Sequence, residues 1–486
     1  MKSIKVTQDG VGNILVLPIA KTQNSVALQA SHTKVDSKYI EDALMRIGAT
    51  ALLDEVLKIP LTNGMTIVTT GLGKVEKNYD AETFRRAAGA AARSLAGEKR
   101  ATFIFPAKNS EQLDAVAQGA ALGSYVFSQF KASSRSETKP ALAEIIINTN
   151  LAKSLDAAAI AKRAEIIARY TYLIRDLINT PPSHLTPAEF ASQMKKIAIK
   201  LKLKIEILDE KVLKSKGYGG ITAVGQGSAN PPRLLRVSYS PAKAKKNFAI
   251  VGKGITFDTG GLALKPANGM EAMKSDMSGA AAVIATVFAA AELKLPIALD
   301  AWAPLAENMV SENATRPSDV IKIYGGKTVE VLNPDAEGRL VLADALVRAQ
   351  EFNKNLDGII DVATLTGAQV VALGTRTSAV MTNDENFAEQ FLISAKVAGE
   401  QFWPMPLPEE LRASLDSPVA DIANIGERMG GMLVAGLFLK EFVSIPWLHL
   451  DIAGPAYNEG KAHGYTPVGG TGVALRSLIS LFSTIE

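Results

Sequence analysis

Short apolar runs alternate with amphipathic stretches along nearly the whole chain, and this alternation constrains the fold more than any other feature. In the first 150 residues, "GNILVLPIA", "MTIVTTGLG", "ATFIFPA" and "LAEIIIN" read as strands. Between and around them, "KYIEDALMRIGATALLDEVL", "DAETFRRAAGAAARSLAG" and "SEQLDAVAQGAALGSYVFSQF" read as helices. Strands and helices in turn imply an α/β fold with a mainly parallel sheet.

The same alternation resumes after residue 180, with "LKIEIL", "RLLRVSYS", "NFAIVG", "PIALDAWAP", "LDGIIDVATL" and "WLHLDIAG" as strands. Here "GAAAVIATVFAAAELK" and "LVLADALVRAQEF" read as helices. Between the halves lies one long helical pattern that stops at "NTPPSHLTP", where clustered prolines end a helix. A chain of 486 residues is too long for one ordinary core. We therefore expect a smaller N-terminal α/β domain at 1–150, a linker helix at 151–179 and a larger α/β domain at 180–486. The larger domain should carry a mixed, mainly parallel sheet, with any site in the crevice at its strand ends.

Composition narrows the chemistry. The chain has no cysteine, which excludes disulfides, thiolate metal sites and a cysteine nucleophile. Its four histidines, His32, His184, His449 and His463, lie far apart and argue against a three-histidine zinc site. The net charge of +4 gives no reason to expect nucleic-acid or membrane binding. The start "MKSIKVTQDG" lacks the apolar core of a signal peptide, and the alanine-rich run 279–291 is too short to span a bilayer. A cytoplasmic protein is expected.

The stretch "VLNPDAEGRL" (331–340) sets Asp335, Glu337 and Arg339 at every second position between apolar flanks. In an extended chain these three would point to one side. The segment 248–283, "FAIVGKGITFDTGGLALKPANGMEAMKSDMSGAAAV", begins as a buried strand and then presents Lys253, Asp258, Lys265, Lys274 and Asp276 among glycines. Gathered in one pocket, Asp258, Asp276, Asp335 and Glu337 would carry a charge of about −4, which a dry site does not tolerate unpaired. Two divalent cations would cancel it, and a carboxylate-rich set suits Mn²⁺, Mg²⁺ or Zn²⁺. Lys253 could join the ligands only as a neutral amine. Lys265 and Arg339 would remain as positive charges for an oxyanion or a small bound anion.

Each feature alone has a plainer reading. D-x-E-x-R suits a solvated surface strand, Lys253 could snorkel, Asp276 could cap the alanine-rich helix, and Met273 could be a core methionine. Their concentration within 90 residues, each at a strand end or glycine-rich turn, favours a site. No P-loop, complete dinucleotide fingerprint, G-x-S-x-G or H-E-x-x-H motif is present.

These residues resemble the leucyl aminopeptidase family, the M17 metallopeptidases or cytosol aminopeptidases. The family signature N-T-D-A-E-G-R-L stands here as "NPDAEGRL", preceded by "VGKGITFDTGGLALKP" and "MKSDMSGAAAV". Later stretches "DVATLTGA", "NIGERMGGMLVAGLFLKEF" and "HLDIAGPA" also fit, so the resemblance covers nearly all of the second domain. It implies one metal held by Lys253, Asp258, Asp276 and Glu337, and another by Asp258, Asp335 and Glu337. It also implies Lys265 as oxyanion stabiliser and Arg339 as holder of a bicarbonate-like general base. A homohexamer of two stacked trimers is part of the same implication.

A free substrate amine on one metal, beside Asp276, would restrict cleavage to the first peptide bond. The P1 side chain is expected against Met273 and the turns carrying Thr364, Leu365, Gly367, Ala453 and Ala456, with room for leucine or methionine. Pro334 replaces the signature threonine and removes an N–H donor, which should retune metal affinity modestly. Two other readings compete: a DNA-binding or regulatory role through the first domain, and a two-metal phosphatase. Against the former, the first domain's lysines form no dense basic stripe.

Overall fold

A computed structural model of the protein describes residues 3–9, 12–30, 35–153 and 155–485; His32 lies outside them. The chain divides into two compact units, Met1–Tyr172 with Glu459–Val468, and Leu173–Asn458 with Gly469–Glu486.

The first unit is built on a seven-stranded mixed sheet. Strands Ser3–Thr7, Glu144–Asn148, Arg100–Phe103, Ile14–Lys21 and Thr66–Lys74 run parallel in that spatial order, and Val56–Pro60 closes one edge antiparallel. Helices Ala81–Ser94 and Ser110–Gly123 bury alanine-rich faces, and they approach closely through glycine. A Cβ on Gly119 would lie 2.1 Å from the Arg85 carbonyl oxygen. Residues 459–468 belong to this unit although they come late in the chain. Tyr465 joins its core and donates to Glu82 Oε1 at 2.9 Å.

One expected helix is shorter than its pattern. "KYIEDALMRIGATALLDEVL" is helical only as Ser37–Arg46, and its end pairs in the sheet as Val56–Pro60. Gly48, Ala51 and Asp54 adopt positive φ, which a helix cannot continue through.

The second unit holds a nine-stranded mixed sheet. At its centre Ala298–Asn308, Asn247–Gly252, Gly358–Ala363 and Trp447–Asp451 run parallel as neighbours. Arg233–Tyr239 and Lys204–Leu208 extend one side antiparallel; Ser378–Thr382, antiparallel to Trp447–Asp451, extends the other with Phe402–Pro404 beyond it. The helix Ser278–Leu293 is buried nearly throughout, its alanines allowing close approach to the sheet. With the turn before it, Met270–Leu293 is long and apolar enough to cross a membrane, yet 83% of its most apolar stretch lies inside the fold. On the other face Gly338–Phe352 packs into a core containing Trp302, Trp447 and Phe438. A small three-stranded sheet sets Asp319–Lys322, Thr328–Val331 and Ile422–Ala423 side by side.

Candidate metal centre

The register of the central strands brings the site together. Gly252 pairs with Val362, and Ala363 with Asp451, so Lys253, Thr364 and Asp451 emerge at the same sheet edge. This is the carboxyl end of parallel strands, where open α/β sheets leave a crevice. Strand Gly254–Asp258 ends there with Asp258, and the turn Met270–Ser275 leads to Asp276.

"NPDAEGRL" reaches the crevice as a turn and a helix start, in place of the extended run its spacing suggested. Strand Thr328–Val331 ends before it, Ala336 N donates to Asn333 O at 3.1 Å, and Gly338–Phe352 is helical. Asp335 therefore lies in the turn, Glu337 at the helix cap and Arg339 in the first helical turn. The reason is local: Pro334 removes an N–H that a strand ladder would need, and the apolar pattern after it is helical.

Lys253 and Lys265 each bridge two carboxylates. Lys253 Nζ lies 2.8 Å from Asp276 Oδ1 and 2.8 Å from Glu337 Oε1, and donates to the Thr364 carbonyl at 2.8 Å. Its three N–H groups thus have three acceptors. Lys265 Nζ lies 2.8 Å from Asp258 Oδ2 and also pairs with Asp335 Oδ1. Burial pushes both ammonium pKa values down, but the facing carboxylates outweigh it and leave both raised.

The acids respond in the opposite sense. Burial raises the pKa of Asp276, which Lys253 opposes and the charges of Glu337 and Asp258 reinforce. Burial likewise raises Glu337 and Asp335, each helped by repulsion from Asp258. Arg339 is buried and pushed down to about 10 by desolvation, against the pull of Glu337 and Asp451, so it stays charged at neutral pH.

The residues fit a metal. Four carboxylates face two lysines, an excess of negative charge in a buried place. Oxygens of Asp258, Asp335 and Glu337 lie within 4.8 Å of one another, close enough to share an ion. Asp276 Oδ2 is buried without a hydrogen-bond partner, a free acceptor that costs stability unless a donor or cation meets it. Glycine makes the crowding possible: a Cβ on Gly338 would lie 2.5 Å from Lys253 Cε, and one on Gly279 2.0 Å from the Val362 carbonyl oxygen.

Of the expected substrate-side residues, Thr364 touches this cluster directly, its carbonyl accepting from Lys253 Nζ. Thr364, Leu365, Met273 and Ala453 are partly exposed and Gly367 is exposed. Thr364 Oγ1 donates to Asp276 Oδ1 at 2.7 Å. Ala456 is fully buried, its N–H closing a turn onto Ile452 O at 3.0 Å, and presents no surface to a ligand. Pro334 leaves no donor wanting: the N–H groups of Leu332, Asn333, Asp335 and Ala336 all have acceptors. Its own carbonyl accepts from Asn308 Nδ2 at 3.1 Å.

Three further polar residues escaped the sequence reading. Asn308 Nδ2 also donates to Asp258 Oδ1 at 2.8 Å, tying that ligand candidate to the Pro334 turn. Asp451 accepts from Leu365 N at 3.0 Å, Thr366 Oγ1 at 2.8 Å and Ala453 N at 3.2 Å, which ties the 364–366 turn to the turn at Ala453. Asn424 grips the 332–336 turn and Arg339. An isolated asparagine or aspartate carries no spacing signal, and only proximity in the fold reveals these partners.

Comparisons with known proteins agree on one relationship. Residues 172–479 match the cytosol aminopeptidase family, catalytic domain, and residues 16–134 match the cytosol aminopeptidase family, N-terminal domain. A probable cytosol aminopeptidase of Streptomyces avermitilis is 51% identical over 452 residues, covering 90% of this chain and 88% of that one. One from Mycobacterium tuberculosis is 47% identical over 497 residues, with 98% and 95% covered. Among solved structures, the bottromycin maturation enzyme BotP in complex with Mn aligns with a TM-score of 0.85 at 37% identity, covering 99% of each chain.

Proposed function

The chain belongs to the cytosol aminopeptidase family, the M17 metallopeptidases, and on that premise we propose that it removes leucine-like residues from peptide N-termini at a two-metal centre. One observation carries the reading: Asp258, Asp276, Asp335 and Glu337 converge on Lys253 and Lys265 in a single crevice. Lys253, Asp258, Asp276 and Glu337 would hold one ion, and Asp258, Asp335 and Glu337 the other. Two divalent cations there, Mn²⁺, Zn²⁺ or Mg²⁺, would supply a water of lowered pKa and polarise the scissile carbonyl.

The protein's own groups do the rest. Lys253, to serve as a ligand, gives up a proton. Lys265 keeps its charge and faces the developing oxyanion, where a fixed cation is worth most. Arg339, which keeps its charge, would hold a bicarbonate-like anion, and that anion would supply the general base. The free oxygen of Asp276 orients the substrate's α-amine, which limits cleavage to the first bond. Met273, Thr364, Leu365, Gly367 and Ala453 border the P1 side chain, with Ala456 packed out of reach of solvent. A homohexamer and a cytoplasmic location belong to the same reading.

The test is hydrolysis of a leucine anilide. Purified protein with Mn²⁺ or Zn²⁺ should turn it over, a chelator should abolish the turnover, and phosphate esters should be inert. Full activity in Glu337→Gln would refute the assignment.

A further inference from the structure

We infer that Asn424 is a positioning residue for the reaction, holding the 332–336 turn in the shape that presents Asp335 and Glu337 and fixing Arg339 beside it. The inference rests on the aminopeptidase reading for its kinetic part and on the fold alone for the rest.

The turn has a backbone accounting problem. Strand Thr328–Val331 pairs with Ile422–Ala423 over only two residues, Val329 with Ile422 and Glu330 with Ala423. Beyond that the ladder stops, and the polar backbone that follows enters a partly buried site, where unpaired N–H and C=O groups are costly. Asn424 stands one step past the last pair, its own N–H donating to Glu330 O at 2.9 Å. Its side chain then continues the ladder's work. Oδ1 accepts from Leu332 N at 2.8 Å and Asn333 N at 3.2 Å. Nδ2 donates to Asn333 O at 2.7 Å and, more loosely, to Ala336 O at 3.4 Å.

The residue is fully buried, so no water competes for these groups. An amide side chain offers an oxygen with two lone pairs beside two N–H donors, the set that these four contacts use. Its main-chain carbonyl takes the last role, accepting from Arg339 Nη1 at 2.7 Å. Among the described residues this is the one hydrogen bond of the Arg339 side chain, whose Nε is buried without a partner. A single residue therefore ties the acidic turn and the surplus guanidinium into one frame. Such outer partners orient ligands that they never replace.

The test compares wild type, Asn424→Ala, Arg339→Ala and the double variant on a leucine anilide at saturating Mn²⁺, with Mn²⁺ binding followed by calorimetry. Asn424→Ala should lower kcat by about 10–100-fold and weaken Mn²⁺ binding by about tenfold. KM should stay within about twofold of wild type. The double variant should be no slower than the slower single variant, since both changes disable one unit. A purely structural role would lower the melting temperature and leave the kcat losses additive. Additive losses, or wild-type kcat and Mn²⁺ affinity in Asn424→Ala, overturn the inference. If Asn424→Ala does not fold, Asn424→Asp carries the same measurements, because it keeps the acceptors but lacks the donor. A wild type that binds Mn²⁺ but leaves the anilide intact refutes the aminopeptidase reading, and the calorimetric comparison still decides the role of Asn424.

Discussion

Replacing Gly338 with alanine adds one methyl group against the side chain that the acidic cluster is built around. The new Cβ would stand 2.5 Å from Lys253 Cε, 2.7 Å from Cδ and 2.8 Å from Nζ. Carbon atoms prefer roughly 3.5–4.0 Å, so the lysine must retreat by about 1 Å. A surface lysine would do so at little cost. Lys253 is buried and its ammonium has three acceptors, each at 2.8 Å, so the movement stretches at least one charge-assisted bond past usefulness.

Losing one such bond costs about 1.5–3 kcal/mol. Alanine recovers up to about 1 kcal/mol relative to glycine at a helical position. The metal-free variant should therefore be less stable by about 1–2 kcal/mol, and Mn²⁺ affinity should fall by about 10–100-fold because the amine no longer reaches its place. Denaturant titration of the metal-free protein and Mn²⁺ calorimetry measure the two effects. Unchanged stability together with unchanged Mn²⁺ affinity would refute the claim that Gly338 is there to admit Lys253.

Three other outcomes follow from the same geometry. Arg339→Ala should slow leucine anilide hydrolysis by about 10²-fold or more while metal analysis still finds two ions per chain; loss of the ions would make the arginine structural. Gly279→Ala should fail to accumulate as soluble protein, because its Cβ meets rigid backbone 2.0 Å away, and a normal yield of folded protein counts against that packing. Asp344 is fully buried, accepts from Ile221 N and Tyr324 N at 2.7 Å each, and is pushed up to about 7 by desolvation. An acid whose folded pKa is raised holds a proton that the unfolded chain has released, so it costs stability as pH rises from about 4 through about 7. Unfolding at pH 5 and pH 8 should therefore show Asp344→Asn gaining on wild type at the higher pH; a pH-independent difference would show that Asp344 does not titrate there.

The acidic residues were legible because their types and spacing are themselves chemical. Four carboxylates and two lysines at strand ends and in glycine-rich turns make little sense without a cation, whatever surrounds them. The helix Gly338–Phe352 and the buried helix Ser278–Leu293 were legible for a simpler reason, an uninterrupted apolar pattern of helical length. "KYIEDALMRIGATALLDEVL" shows the limit of that signal. Its periodicity runs on past Arg46, but Gly48, Ala51 and Asp54 turn to positive φ and only its last two residues, Val56 and Leu57, pair with Thr66–Lys74 in a strand. Periodicity reports which residues want burial, and a sheet edge can satisfy that as well as a helix.

The sequence by itself therefore determined the α/β class, the acidic motifs and the kind of chemistry they suit, because composition, periodicity and ionic charge are properties of the chain. Only the tertiary structure decided that "NPDAEGRL" bends into a helix cap, that each lysine spans two carboxylates, and that Asn308, Asn424 and Asp451 hold the frame. Asn424 reaches the Asn333 carbonyl from 91 residues away and Asn308 reaches Pro334 from 26. Hydrogen bonds act over about 3 Å and have no fixed period along the chain, so which buried amide meets which loop is settled only when the strands are set side by side.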